Sequence, residues 1–138
     1  MRSRFASITM ITAVMTLWAH VASAQGGNVT TWKVDGVTRQ AIVYAPSANS
    51  PGGRAPLVFS FHGHGDDMQN FQYTNLHRAW PEAIVVYFQG LPSRDGLAGW
   101  QVEQGQDNDR DLKLVDAALK ALQQSFRVDE ARIYSTGF

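Results

Sequence analysis

The chain has 138 residues, 44% of them apolar, which suits one globular domain with a buried core. Lys and Arg total 12 and Asp and Glu total 12, so there is no charge excess to draw it to nucleic acid or anionic lipid, and the expected partner is a small neutral or mixed molecule. With no cysteine, a disulfide frame, a thiolate metal site and a cysteine nucleophile are all excluded within these residues.

The first residues have the pattern of an export signal. Arg2 and Arg4 make a basic start, an apolar run follows from about Phe5 to Val21, and Ala22-Ser23-Ala24 supplies small residues for cleavage. Thr9, Thr12, Thr16 and His20 interrupt the run, which is shorter than the roughly 20 apolar residues of a membrane span. Residues 1–24 are therefore expected to be a signal peptide, with the mature protein beginning at Gln25, secreted or periplasmic and without a stable membrane anchor.

Val29 to Val34 and Val37 to Tyr44 are β-rich runs around Asp35-Gly36, a dipeptide suited to a tight hairpin turn. Pro46 to Pro56 carries three prolines and no periodicity, which predicts a surface loop. Pro56 to Phe61 is almost continuously apolar, as a strand covered on both faces must be. Met68 to Trp80 has only loosely helical spacing and reads as a loop with one short helix. Ala83 to Phe88 repeats the buried-strand pattern, and Gln89 to Gln106 is a long polar, glycine-rich loop. From Asp109, the residues Leu112, Val115, Leu119, Leu122 and Phe126 predict one face of an amphipathic helix, with Asp107, Asn108 or Asp109 able to cap it. Ala131 to Thr136 predicts a third central strand, followed by Gly137-Phe138 in a turn.

A hairpin followed by buried strands and crossovers implies an α/β fold whose sheet is parallel beyond its first strands. In such sheets ligands sit at the carboxyl ends of the strands. After Phe61 comes His62-Gly63-His64-Gly65, a glycine-broken turn in which a backbone N–H can face a ligand without obstruction, as an oxyanion hole requires. After Thr136 comes Gly137-Phe138, which matches the first two residues of a G-x-S-x-G nucleophile elbow, so the next residue is expected to be the serine.

The combination resembles the secreted polyhydroxybutyrate depolymerases and feruloyl esterases of the α/β-hydrolase superfamily. It rests on Pro56-Leu57-Val58 leading into His62-Gly63-His64-Gly65, on Trp80 to Tyr87 leading to Gln89-Gly90, on Gly99-Trp100-Gln101, and on Val128-Asp129 through Arg132 to Gly137. The resemblance implies an α/β-hydrolase fold with a mostly parallel central sheet and an N-terminal antiparallel hairpin, truncated, with residues 25–138 forming the N-terminal part of a single domain. It implies hydrolysis of polyhydroxybutyrate or plant-wall feruloyl and acetyl esters through a serine acyl-enzyme, with no metal or organic cofactor. In this family the His-Gly turn gives an oxyanion donor, which carries over to the backbone N–H of His64 with Gly63 and Gly65 shaping the turn, while Gly137 is the first glycine of the elbow. Some members have a cysteine where this chain has His64. The triad's histidine and acid follow the serine in the family's order, so His62 is expected to brace the loop and not to act as base, and the 138 residues alone are expected to be inactive and unstable.

Trp100 either flanks an acyl or phenolic group of the substrate or fastens its loop to the core. Asp107, Asp109 and Asp111 alternate as in a calcium loop, but Leu112 replaces the glycine and Ala118 the glutamate that such a loop needs, so they read as helix-start charges. An exported peptidase on the same scaffold and a non-catalytic carbohydrate-binding relative are the alternative functions.

Overall fold

The hairpin forms as the Asp35-Gly36 dipeptide dictates. In the computed structural model, which describes residues 26–46 and 53–138, β1 (Asn28–Val34) and β2 (Val37–Tyr44) pair antiparallel with Val34 opposite Val37. Asp35 and Gly36 take φ of 49° and 80°, both left-handed, the combination that matches the twist of the flanking strands. The expected signal peptide and most of the Pro46–Pro56 loop lie outside the described residues.

The remaining elements are β3 (Ala55–Phe61), a 3-10 turn at Asn70–Thr74, α1 (Leu76–Ala79), β4 (Ile84–Phe88), a ribbon of β5 (Leu91–Pro92) with β6 (Ala98–Gly99), a second 3-10 turn at Gln106–Asp109, α2 (Arg110–Ser125) and β7 (Val128–Gly137). The main sheet has the order β1-β2-β4-β3-β7. β3 lies parallel to both β4 and β7, and β2 joins β4 antiparallel. The sheet is thus parallel beyond its opening hairpin, as expected, but the strand expected from Ala131 to Thr136 is not central: β7 lies at the edge of the described sheet and only its Val128 is buried, because a single neighbour, β3, pairs with it.

The two crossovers cover opposite faces. Leu57, Phe59, Ile84, Val86 and Phe88 face α2, whose Leu114, Ala118 and Leu122 complete one core cluster. Val58, Val85 and Tyr87 point the other way, onto Met68, Phe71 and Leu76 of the segment between β3 and β4. Burial on both sides is why these strands read as unbroken apolar runs, and each fully buried large side chain contributes roughly 1.5–3 kcal/mol.

Two expectations for α2 need correction. The buried stripe is Asp111, Leu114, Ala118 and Leu122, while Leu112 is 49% exposed and Val115 and Leu119 are only half-buried at the flank. The sequence contains two overlapping stripes, and the choice between them is made by Asp111, which is drawn inward by Arg39. Nor do the residues before the helix cap it. Asp107, Asn108 and Asp109 all have left-handed φ, and none makes a side-chain cap. Gln101 Oε1 instead accepts the N–H of Asp111 at 2.9 Å, a cap supplied from a distant loop.

On the face away from α2, the rings of Tyr44 and His77 stack at 3.8 Å, and His77 Nδ1 lies 3.1 Å from the Tyr87 hydroxyl. Burial, and then the neighbouring Arg78 charge, hold the His77 imidazole below its usual range and so favour the neutral ring. Because the unfolded chain takes up this proton at higher pH than the folded one, the contribution to stability is complete above the ordinary histidine value of about 6.5. It declines below that value and is gone once the pH has fallen through the folded one. Urea midpoints measured between pH 8 and pH 5 should therefore fall less steeply in His77→Phe than in wild type; equal slopes would remove His77 as the cause.

Candidate active site

β3, β4 and β7 end level with one another, since Phe61 is opposite Phe88 on one side and Gly137 on the other. The turns that follow the three strands therefore meet at one edge of the sheet, where α/β folds bind their ligands. The His-Gly turn and the end of β7 are neighbours, as expected: a Cβ on Gly63 would lie 3.6 Å from Cβ of Phe138.

His62 is fully buried and cross-braces the turns. The Gly90 N–H donates to its Nε2 at 2.9 Å, so that nitrogen carries the lone pair. Nδ1 then carries the proton and donates to the Gly63 carbonyl at 2.7 Å. Both ring nitrogens are used within the scaffold, which agrees with a bracing role and leaves no free nitrogen for a catalytic base.

Within the turn the backbone amides differ. Gly65 N–H donates to the Ala98 carbonyl at 2.7 Å and Asp66 N–H to the Gly63 carbonyl at 3.1 Å, whereas neither the Gly63 nor the His64 N–H makes a hydrogen bond among the described residues. Backbone N–H groups left open in a glycine turn can face a ligand without obstruction by side chains. Gly65 has φ of 78°, which favours glycine, while Gly63 needs no positive φ and meets only ordinary contacts. The His64 side chain is turned outward to Asp95, with Nε2 and Oδ2 2.8 Å apart and both side chains more than half exposed. Asp95 Oδ1 also accepts the Leu97 N–H at 3.1 Å. These bonds, the one to His64 first, hold the Asp95 carboxyl below its usual range.

Gly137 has a steric reason to be glycine: a Cβ there would stand 2.6 Å from the Phe61 carbonyl oxygen. Gly90 is similar, since its Cβ would meet the Gly99 carbonyl oxygen at 2.7 Å and the Gly99 nitrogen at 3.0 Å. Both neighbours of Gly90 are backbone atoms and cannot swing aside. Gly90→Ala is expected to lower unfolding free energy by about 1–3 kcal/mol through forced displacement of the β5–β6 ribbon. Urea denaturation measures this, and an unchanged midpoint would mean that the ribbon yields freely.

Trp100 fastens its loop. Its Nε1–H donates to the His62 carbonyl at 2.8 Å, and its ring stands edge-on to Phe61 at 5.2 Å. The same ring lines a cavity of about 600 Å³ with Phe61, Leu112, Val115, Gly137 and Phe138. Of the three alternating aspartates, Asp109 accepts the Gly105 N–H at 2.6 Å and a Gln101 amide hydrogen at 3.1 Å, while Asp111 pairs with Arg39. Among the described residues no group of three or more His, Asp or Glu side chains is placed to hold a metal ion.

Arg39, Asp95 and Asp111 were not singled out for the site by sequence reading. Arg39 did carry a signal: it shares the inward parity of Ala41 and Val43 on β2, and an arginine on a buried strand face demands a partner.

No family model matches the chain, and no curated protein matches it. Solved structures do. A ferulic acid esterase from Anaeromyces mucronatus in complex with ferulic acid aligns with a TM-score of 0.59 at 16% identity, over 87% of this chain and 51% of that one. An S-formylglutathione hydrolase from Agrobacterium tumefaciens aligns with a TM-score of 0.60 at 19% identity, over 83% of this chain and 50% of that one. A fluorophosphonate-binding serine hydrolase from Staphylococcus aureus aligns with a TM-score of 0.58 at 11% identity, over 82% of this chain and 47% of that one. The chain thus spans about half the length of these three proteins. Its fold is that of the α/β-hydrolase-type esterases, with a mostly parallel central sheet.

Proposed function

We propose that this chain supplies the oxyanion side of a carboxylic ester hydrolase that works through a serine acyl-enzyme, without metal or organic cofactor. The observation that carries the reading is the meeting of the His62–Gly65 turn with Gly137-Phe138 at the carboxyl edge of the sheet. Attack on an ester drives negative charge onto the carbonyl oxygen, and a preorganised N–H such as that of His64 stabilises it by about 3 kcal/mol. The reading requires a serine directly after Phe138, with its N–H donor, histidine and acid further along the chain. On these terms residues 25–138 alone have no nucleophile and do not turn over ester.

Two of the named neighbours are a ferulic acid esterase and an S-formylglutathione hydrolase, and plant-wall feruloyl or acetyl esters and short polyhydroxybutyrate chains are the substrates proposed here. Export fits polymeric substrates, and the small-residue pattern ending at Ala24 supports a mature start at Gln25. Mass spectrometry of the secreted product checks this: a retained Met1–Ala24 segment would refute cleavage at that point.

The test of function uses the protein encoded by the gene that carries this sequence. It should hydrolyse nitrophenyl acetate and methyl ferulate, become labelled by a fluorophosphonate at the residue after Phe138, and lose activity when labelled. Turnover of peptide anilides in preference to esters would make it a peptidase. A residue other than serine at that position, with carbohydrate binding and no turnover, would make it a binding protein.

A further inference from the structure

We propose that Trp100 and Asp111 are positioning residues for the oxyanion turn, holding it through a chain of directional bonds that starts at the buried Arg39; this rests on the ester-hydrolase reading. The chain of bonds can be followed atom by atom. Arg39 Nη2–H donates to Asp111 Oδ1 at 2.7 Å, and Arg39 Nη1–H donates to the Arg110 carbonyl at 3.0 Å, which ties β2 to the first turn of α2. Asp111 Oδ2 accepts the Gln101 backbone N–H at 2.6 Å, and Gln101 Oε1 accepts the Asp111 backbone N–H at 2.9 Å. These two reciprocal bonds leave residue 101 almost no freedom relative to the helix.

Residue 101 in turn fixes its neighbour. The Trp100 indole donates to the His62 carbonyl, and His62 is held from its other side by the Gly90 N–H. The ring of Trp100 packs against both Phe61 and His62, with centroids 5.2 and 5.0 Å away. The peptide that leaves the His62 carbonyl leads directly into Gly63-His64, so the position of the proposed donor depends on where Trp100 holds that carbonyl.

Hydrogen-bond acceptors inside a protein are normally satisfied by whatever is nearest in the chain. Here the acceptor is Asp111, 6% exposed, and both of its oxygens are used by groups from two other elements. An isosteric asparagine cannot reproduce this. It has one acceptor oxygen, so its amide nitrogen must face either the Arg39 guanidinium or the Gln101 N–H, donor against donor. The loop that carries Trp100 would then relax.

Displacement of a reacting group by about 1 Å can lower a rate about 10²-fold without much effect on binding. Asp111→Asn is therefore expected to reduce kcat for nitrophenyl acetate by about 10- to 100-fold with KM within about threefold. Trp100→Phe keeps the ring and removes the donor, and should show the same split at about tenfold. The second readout is independent of turnover: the Trp100 indole hydrogen should be protected from exchange in wild type and should exchange at least about tenfold faster in Asp111→Asn, since a tenfold change corresponds to 1.4 kcal/mol of lost protection.

The two variants also guard against a trivial result, because Trp100→Phe leaves the Arg39–Asp111 pair intact. Folded variants with unchanged kcat would overturn the proposal, as would an indole hydrogen equally protected in wild type and Asp111→Asn. A wild-type protein that is neither labelled by fluorophosphonate nor active on esters sinks the ester-hydrolase reading instead, while the indole exchange still reports whether Asp111 controls the loop.

Discussion

Replacing His64 by proline is expected to lower kcat for nitrophenyl ester hydrolysis by about 10²- to 10³-fold, the usual effect of losing one oxyanion donor. Replacing it by alanine should leave kcat within a few-fold. Both substitutions delete the imidazole and its pairing with Asp95, a solvent-exposed contact. Only proline also deletes the backbone N–H. The ratio of the two variants therefore isolates the amide. Proline is sterically admissible here: His64 is not among the residues with positive φ, and the preceding residue is Gly63, the residue most tolerant of the restriction that proline imposes. Equal rates for the two variants would show that the donor is some other group.

Arg39→Ala is expected to destabilise the protein by about 3–5 kcal/mol, a large part of the roughly 5–15 kcal/mol that holds a domain folded. The side chain is 1% exposed, and its removal leaves the Asp111 carboxylate buried with only the Gln101 N–H and the edge of Arg110, at 3.6 Å, to compensate it. The loss arises from the stranded charge more than from the missing bond, so removing both charges should be much gentler. The double variant Arg39→Leu with Asp111→Leu should recover most of the stability in urea denaturation. It should remain slow in ester hydrolysis, because the acceptor that anchors Gln101 is gone. A double variant as unstable as Arg39→Ala would mean that the pair itself, and not an uncompensated carboxylate, was the source of the stability.

The individual strands were legible because each satisfies a local rule. Asp35-Gly36 can turn a hairpin by its own φ preferences, and the apolar runs from Pro56 and Ala83 are intelligible only as strands buried on both faces. The glycine-marked turn after β3 was legible for the same reason, since Gly65 has a positive φ, whereas Gly137, expected in a turn, is the last residue of β7, where a Cβ would stand 2.6 Å from the Phe61 carbonyl oxygen. The ribbon of β5 and β6 was not, because two-residue strands carry no periodicity and form only when the Gly90 and Gly99 backbones are brought together.

What the sequence by itself determined is therefore the strands of the sheet, the burial of β3 and β4 on both faces, the hairpin start and the glycine turn after β3, all of which depend on residues close together in the chain. The facing of α2, its cap and the bracing of the His62–Gly65 turn were decided only by the tertiary structure. Asp111 is a helix-start charge until Arg39, 72 residues away, draws it inward, and Trp100 is one aromatic among many until the His62 carbonyl comes within reach of its indole. Buried polar groups must find partners wherever the fold places them, and those partners lie at separations over which local propensity and periodicity carry no information.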